Sequence, residues 1–436
     1  MQLVPSFAAL LQPFAARMTA PTFGNLVTIV TGWLFAERRT VTGLIEAADA
    51  MERKHFSVYH RFFASARWSL DELGFVLLEQ LFPWLPDGPI LLALDDTLAR
   101  KRGRKMYGAG MHHDPLLSSR GQAVMNYGHC WVVLGVLVRF PFCRRRVFCL
   151  PILFALYLNK KSAAKHRRVY RSKPQLAVEL LSRLHRRFPH LRFHGVGDSA
   201  YGGESVLGHL PPHVDWTSRL VLNARLHAAP PERLAGQRGR PPLRGAALPT
   251  PDQMLAGRVR RVTLELYGRR DRVRLAEVEA RVYKVPQRPL RVVAVDPLCG
   301  GRPRQAFYST CADASAEQVL TWYAMRWSIE VAFHDAKGHL GFEEPQNWSR
   351  QAVRRTAPLG LLLYGLVLLW FAREGAALVD LRRRPWYPHK PHASFADMLA
   401  TLRRVSLTHG LSTRPRASGV SEIPPPIRSR PLATAA

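Results

Sequence analysis

Tyr323, Arg326, Glu330 and Lys337 stand at i, i+3, i+7 and i+14. At about 100° per residue, a helix gathers such positions within a roughly 60° arc. The spacing therefore predicts one stripe carrying a carboxylate, two cations and a phenol, between apolar positions such as Ile329 and Phe333. A carboxylate among donors and cations suits a metal site beside a phosphodiester better than it suits a plain core face. Other acids stand where chemistry could use them. Asp95-Asp96-Thr97 closes the apolar run Ile90–Leu94, and Asp198 lies in the glycine-rich turn Gly197–Gly202. Phosphodiester chemistry on two divalent ions, roughly 3.5–4 Å apart, needs carboxylates from separate chain segments converging on one point. Acids from two strand ends, with a third from a crossing helix, make an oxygen cage suited to Mg²⁺. A lone aspartate at a strand end is ordinarily a turn residue or a helix cap. The order of these acids, together with the cationic stripe, argues for chemistry.

The elements that must position them follow from the pattern. Residues 1–85 read as helices: Val41–Arg53 behind Thr40, Ser57–Ala66, and a helix toward Leu81 opened by the capping-box sequence Ser69-Leu70-Asp71-Glu72. Arg38, Arg39, Arg53, Lys54, Arg61 and Arg67 make this region a candidate for DNA contact. Residues 86–212 then read strand, strand, strand, helix, strand: the run into Asp95, Val124–Arg139, Arg146–Tyr157, a helix over Lys173–Phe188, and the strand leading to Asp198. That order belongs to a mixed α/β sheet. Residues 213–312 read as a β-rich insertion with strands at Trp216–Arg225, Arg258–Tyr267, Val273–Val285, Leu290–Val295 and Ala306–Thr310, and with a basic loop over Pro230–Pro251. Residues 313–380 hold the Glu330 helix and a helix after Pro358. Residues 381–436 form a basic, proline-rich tail around one further helix near Phe395–Val405.

Charge is the outlier in composition. The 436 residues carry 63 Lys plus Arg against 32 Asp plus Glu, a formal net charge of +31. Such a field favours polyanions and gives salt-sensitive affinity through phosphates, although a compositional bias toward arginine would raise it too. The five cysteines, Cys130, Cys143, Cys149, Cys299 and Cys311, are scattered and include no C-x-x-C pair. That argues against a disulfide framework and against a structural zinc site, and it fits a reducing, cytoplasmic setting. No secretory signal pattern opens the chain. The uncharged run Ala357–Ala372 falls short of the ~20 residues of a membrane span and contains Pro358, so it reads as a buried core helix.

The acids and the helix signature resemble the DDE transposases of bacterial insertion sequences. They fit the branch with the Tyr-x2-Arg-x3-Glu-x6-Lys signature, whose intervals match 323, 326, 330 and 337. Further resemblance at Phe62–Trp68, Leu94–Gly103, Arg219–Leu226, Gly236–Pro241 and Leu340–Asn347 extends it over roughly residues 55 to 372. The four-residue signature is specific; a D…D…E order alone is weak. The resemblance implies a ribonuclease H-like catalytic domain with a β-rich insertion before the glutamate helix. It also implies that Asp198, Glu330 and one of Asp95 and Asp96 bind two Mg²⁺ ions, with Mn²⁺ able to substitute. Strand alternation does not choose between the two aspartates; Asp96, directly before Thr97, is preferred from the resemblance, leaving Asp95 a supporting or turn carboxylate. Tyr323, Arg326 and Lys337 are implied as binders of phosphates at the cut. An aromatic of the insertion that stacks on a flipped base is also implied, with Trp216, Tyr267 and Tyr283 as candidates.

Lys101-Arg102-Gly103-Arg104-Lys105 is a candidate phosphate clamp, and Arg238 and Arg240 flanking Gly239 are a candidate minor-groove hook. His112-His113-Asp114 reads as a loop. The expected activity is cleavage of double-stranded DNA at the element's ends and joining of the freed 3′-hydroxyl to target DNA. A homodimer is expected to hold both ends, with no organic cofactor and no membrane. Two other readings remain: an inactive DNA-binding relic of such an enzyme, and a ribonuclease H-like repair nuclease.

Overall fold

The computed structural model describes residues 2–114, 117–119, 121–232, 242–266, 268–298, 302–381 and 390–412. Its strands are β1 (Ile90–Arg100), β2 (Gly110–His113), β3 (Met125–Val138), β4 (Phe148–Tyr157), β5 (Phe193–Gly197), β6 (Val214–Leu220), β7 (Leu226–His227), β8 (Ala247–Leu248), β9 (Arg260–Leu266), β10 (Arg269–Val282), β11 (Val285–Pro297) and β12 (Gln305–Ser309). The longer helices are α1 (Ala20–Phe35), α2 (Leu70–Leu81), α3 (Lys173–Arg187), α4 (Ala316–Met325), α5 (Trp327–Leu340), α6 (Arg350–Trp370) and α7 (Phe395–Ser412).

Among the described residues, the twelve strands belong to one mixed sheet. Its centre runs β4-β3-β1-β5-β6, with β3 antiparallel to both β4 and β1, and with β1, β5 and β6 parallel. This is the ribonuclease H-like order, in which two parallel strands follow a three-stranded meander. The apolar runs explain the centre: Leu92, Ala93 and Leu94 on β1 and Val132, Val133 and Leu134 on β3 are all 0% exposed. Strands covered on both faces lose the in–out alternation of a half-exposed sheet. Beyond β6 the sheet continues through β12, β11 and β10, joined by the two-residue turn Tyr283-Lys284. Val214–Leu220, which the sequence groups with the insertion starting at residue 213, pairs in parallel with β5 and so lies beside the central strands.

The helices close over this sheet. The spacing predicted a helix after Pro358, but α6 begins at Arg350 and carries the proline inside. Nearly every side chain from Ala352 to Trp370 is buried. That packing outweighs the ~3 kcal/mol that an interior proline costs a helix. The helix is long and apolar enough to cross a membrane, yet its apolar stretch lies within the protein core, as expected for Ala357–Ala372. Residues 2–85 share that core and do not stand apart from it. Trp33 of α1 donates its indole N–H to Leu340 O at 2.8 Å, and Arg355 of α6 donates to the carbonyls of Phe62, Phe63, Ala66 and Trp68. Gly74 of α2 lies against β4 so closely that a Cβ there would stand 1.8 Å from Ile152 O.

Several elements are shorter or longer than the pattern predicted. The helix expected over Val41–Arg53 ends at Ala47, where Asp49 turns left-handed at φ 55. The helix expected to end near Val405 runs to Ser412. His112 and His113, expected in a loop, lie on β2.

Candidate active site

Successive side chains of a strand point to opposite faces, so adjacent aspartates on β1 cannot share an environment. Asp96 turns toward α3. Its Oδ2 accepts from Lys173 Nζ at 2.6 Å, and its Oδ1 accepts from the Tyr201 hydroxyl at 2.8 Å. The Cys130 thiol lies 3.4 Å from the same carboxylate. Burial opposes the Lys173 charge, but Cys130 and Asp96 together raise its pKa. Asp95 turns the other way, toward α5, where its Oδ2 accepts from Arg326 Nη1. Burial lifts the Asp95 carboxyl to about 7; Arg326 opposes this, while the charges of Asp96 and Asp198 add to it.

Arg326 joins the helix to the strand. Besides Asp95, it donates Nη2 to Glu330 Oε1 at 2.8 Å, so one guanidinium holds two carboxylates. Arg326 and Asp95 are 12% and 15% exposed at their side chains, and Glu330 is 34% exposed. The single helix predicted through Tyr323–Lys337 is in fact two, α4 and α5, meeting at Arg326. Tyr323 consequently packs at 8% exposure, its ring 4.6 Å from that of Phe307, with the Arg326 guanidinium 5.7 Å from its centroid. One turn beyond Phe333, Lys337 stands 3.8 Å from Glu343 Oε1. Burial, ahead of Glu343, shifts the Lys337 pKa and leaves it lowered.

Asp198 follows β5 immediately. Leu94 of β1 pairs with Gly197, which brings Asp95, midway along β1, beside Asp198, just past the end of β5. Its carboxylate accepts from Ala200 N at 2.9 Å, and its backbone carbonyl accepts from Ser218 Oγ at 2.7 Å. Glycines leave room for this arrangement. A Cβ at Gly195 or Gly197 would stand 2.4 or 2.5 Å from the Trp216 ring.

Asp95, Asp198 and Glu330 offer only carboxylate oxygens, a donor set that fits a hard divalent cation. With Arg326 between two of them, however, no three Asp, Glu, His or Cys side chains among the described residues gather closely enough to hold an ion. The guanidinium already supplies the positive charge at this point. An ion would be held there by the carboxylates once Arg326 has moved from between them.

Other sequence candidates have different surroundings. Lys101, expected at a phosphate, is buried and donates to Glu343 O and Pro345 O at 2.6 and 2.9 Å. Burial lowers its pKa to about 8 and keeps the ammonium on these carbonyls, away from the surface. Arg102 is exposed. Trp216 is 0% exposed and donates its indole N–H to Tyr201 O at 3.1 Å, so it cannot stack on an extruded base. Trp216→Ala is accordingly expected to destabilise the fold by about 3–5 kcal/mol, as for large aromatic truncations in cores. Thermal melting would read that loss, while the salt dependence of DNA binding stays unchanged. Tyr283 is 49% exposed beneath Arg244, whose guanidinium stands 3.5 Å from its ring centroid. Tyr267, Arg238, Arg240, Cys299 and the tail from residue 413 lie outside the described residues. Lys173 and Cys130 carry no local signal in the sequence; Tyr201 lies within the Asp198 motif without announcing a role.

The acids, the order of the central strands and the crossing helix define a nuclease-like catalytic sheet. The chain belongs to the DDE superfamily endonucleases, whose family model matches residues 13–278, more than half of its length. The match includes Asp95, Asp96 and Asp198 and ends before Glu330. A cryo-EM structure of the piggyBac transposase synaptic complex with hairpin DNA is similar at a TM-score of 0.41 and 10% identity, covering 95% of this chain and 78% of that one. No curated protein matches the chain.

Proposed function

We propose that the chain is a DNA transposase of the insertion-sequence type, which cuts double-stranded DNA at the ends of its element and joins the freed 3′-hydroxyl to target DNA. The observation that carries this reading is the meeting of Asp95 and Glu330 across Arg326, with Asp198 at the adjoining strand end. Asp95 takes the place that the sequence preference gave to Asp96, because Asp96 faces Lys173 and Tyr201 on the other side of the sheet. Two Mg²⁺ or Mn²⁺ ions held by the three carboxylates would neutralise the phosphodiester and polarise it toward in-line attack. Arg326, displaced from between the acids, and Lys337 would orient and neutralise phosphates beside them, with Tyr323 packed against the Arg326 guanidinium. In the first step water adds to phosphorus and the 3′-oxygen leaves as a hydroxyl. In the second that hydroxyl attacks a target phosphodiester and displaces its 3′-oxygen. The number of phosphodiester bonds is conserved in the joining step, so no external energy source is required. Two ends must be handled together, which calls for a homodimer acting on cytoplasmic DNA.

A second reading, an inactive DNA-binding relic, is favoured by one observation: Arg326 stands between the acids. The test is cleavage and joining of a labelled duplex that carries the inverted repeat flanking the gene. Cutting at the repeat boundary with Mg²⁺ and none with EDTA supports the transposase. Binding without cutting under both conditions supports the relic.

A further inference from the structure

A cavity of about 300 Å³ opens beside α3 and the start of α6, away from the three acids. Its floor is apolar, with Ala155 and Leu156 at the end of β4 and Leu176 on α3. Its rim is arginine: Arg168, Arg171, Arg183, Arg350 and Arg354, against the single acid Glu179. The pairing around this rim is uneven. Glu179 is engaged by Arg171 and Arg183, and Asp71 by Arg183 at 3.2 Å. Among the described residues, no carboxylate lies within ion-pair distance of Arg168, Arg350 or Arg354.

Three cations thus surround a concave space with no carboxylate in ion-pair contact. Partial loss of hydration, then the charges of Arg350 and Arg183, lower the pKa of Arg354, while Asp71 and Tyr107 oppose this at longer range. The 21-residue helix α6 also starts here, and Ser349 makes no side-chain cap to it. Its amide dipoles therefore add positive potential at the same place.

We infer that this cavity is a docking site for the sugar–phosphate backbone of duplex DNA, with a phosphate on Arg168, Arg350 and Arg354 and a deoxyribose on the leucine floor. The inference rests on the proposed DNA substrate and adds a second place where that substrate is held. The apolar floor beside the arginines supports a backbone phosphate with its sugar over a free anion, because inorganic phosphate alone would leave Ala155, Leu156 and Leu176 uncovered. Arginine suits the task because its planar fork matches phosphate oxygens.

Equilibrium binding of a labelled duplex to the full chain, measured by fluorescence anisotropy across a salt series, tests this. Arg350→Ala/Arg354→Ala is expected to bind about tenfold more weakly at ~0.15 M salt, with the slope of log K against log salt flattened by about one to two units. Arg350→Lys/Arg354→Lys should recover most of the slope. Both pairs replace exposed side chains, and Arg168→Ala, on the opposite lip, provides an independent variant with a loss of about one unit. If the wild type binds with a steep salt dependence and all variants share it, the cavity assignment is overturned while the DNA reading stands. If the wild type itself does not bind duplex, the DNA reading fails first. Should inorganic phosphate raise the melting temperature of the wild type but not of the alanine pair, with identical DNA slopes, the site takes free phosphate and the backbone assignment is wrong.

Discussion

Asp95→Asn is expected to reduce DNA cleavage by at least about a thousandfold, while Asp96→Asn leaves it within about tenfold of wild type. The argument is geometric. The two carboxylates are chemically identical and adjacent, but only Asp95 shares a face with Arg326, Glu330 and Asp198. Replacing it removes one negative ligand from a cage that must balance divalent charge, and an amide does not restore that charge. Asp96 instead satisfies Lys173, the Tyr201 hydroxyl and the Cys130 thiol. Its amide would keep an acceptor for Tyr201 and lose the ion pair with Lys173, which is a matter of local order more than of ligand count. Cleavage rates at saturating Mg²⁺ would be read beside duplex affinity, which neither substitution should change by more than about twofold. The reverse pattern, with Asp96→Asn inactive and Asp95→Asn active, would overturn the assignment.

The resemblance favours Asp96, which faces away from Arg326, Glu330 and Asp198. Alternation along β1 says that Asp95 and Asp96 oppose each other, but not which face receives α5. That is decided by the crossing of a helix more than two hundred residues away, and nothing near the aspartates encodes it. Local signals fared better. Ser172 and Gln175 form the reciprocal capping box at the start of α3, where the pattern placed a helix after Arg171 and Ser172. The apolar runs of β1, β3 and β4 were recognisable because buried strands need them. β6 reads as part of an insertion because its parallel pairing with β5 is non-local, and its sequence resembles any short strand. Trp216 looked available for stacking because aromatic type alone does not report burial. The signal that would have placed it inside is Gly195 and Gly197, two residues apart on β5 and clear of side chains where the indole lies. Lys101 misled for a related reason: a basic run looks like a phosphate clamp until its ammonium is found bonded to Glu343 O and Pro345 O. The break at Arg326 also escaped the stripe, since no proline or glycine marks it and its backbone stays near helical at φ −51 and ψ −35.

Arg326→Ala is expected to cost about 3 kcal/mol of stability in the absence of divalent ions, seen as a fall of roughly 3–4 °C in melting temperature. The guanidinium is the shared partner of Asp95 and Glu330, and Asp95 is largely withdrawn from water. Removing it leaves a buried carboxylate without its counter-ion, which costs more than the intact pair contributes. The partial exposure of Glu330 keeps the figure at the lower end, because solvent screens that side of the cluster. Asp95→Asn/Arg326→Ala should then be less destabilised than the sum of the single variants, since the orphaned charge is gone; additive losses would deny the coupling. The same variant separates a structural ion pair from a cation site. If Asp95 and Glu330 can jointly hold a dication, Mg²⁺ restores the missing positive charge and raises the melting temperature of Arg326→Ala more than that of wild type. Equal shifts in the two proteins would mean that these acids do not bind an ion together, and Arg326 would be a structural clamp and nothing more.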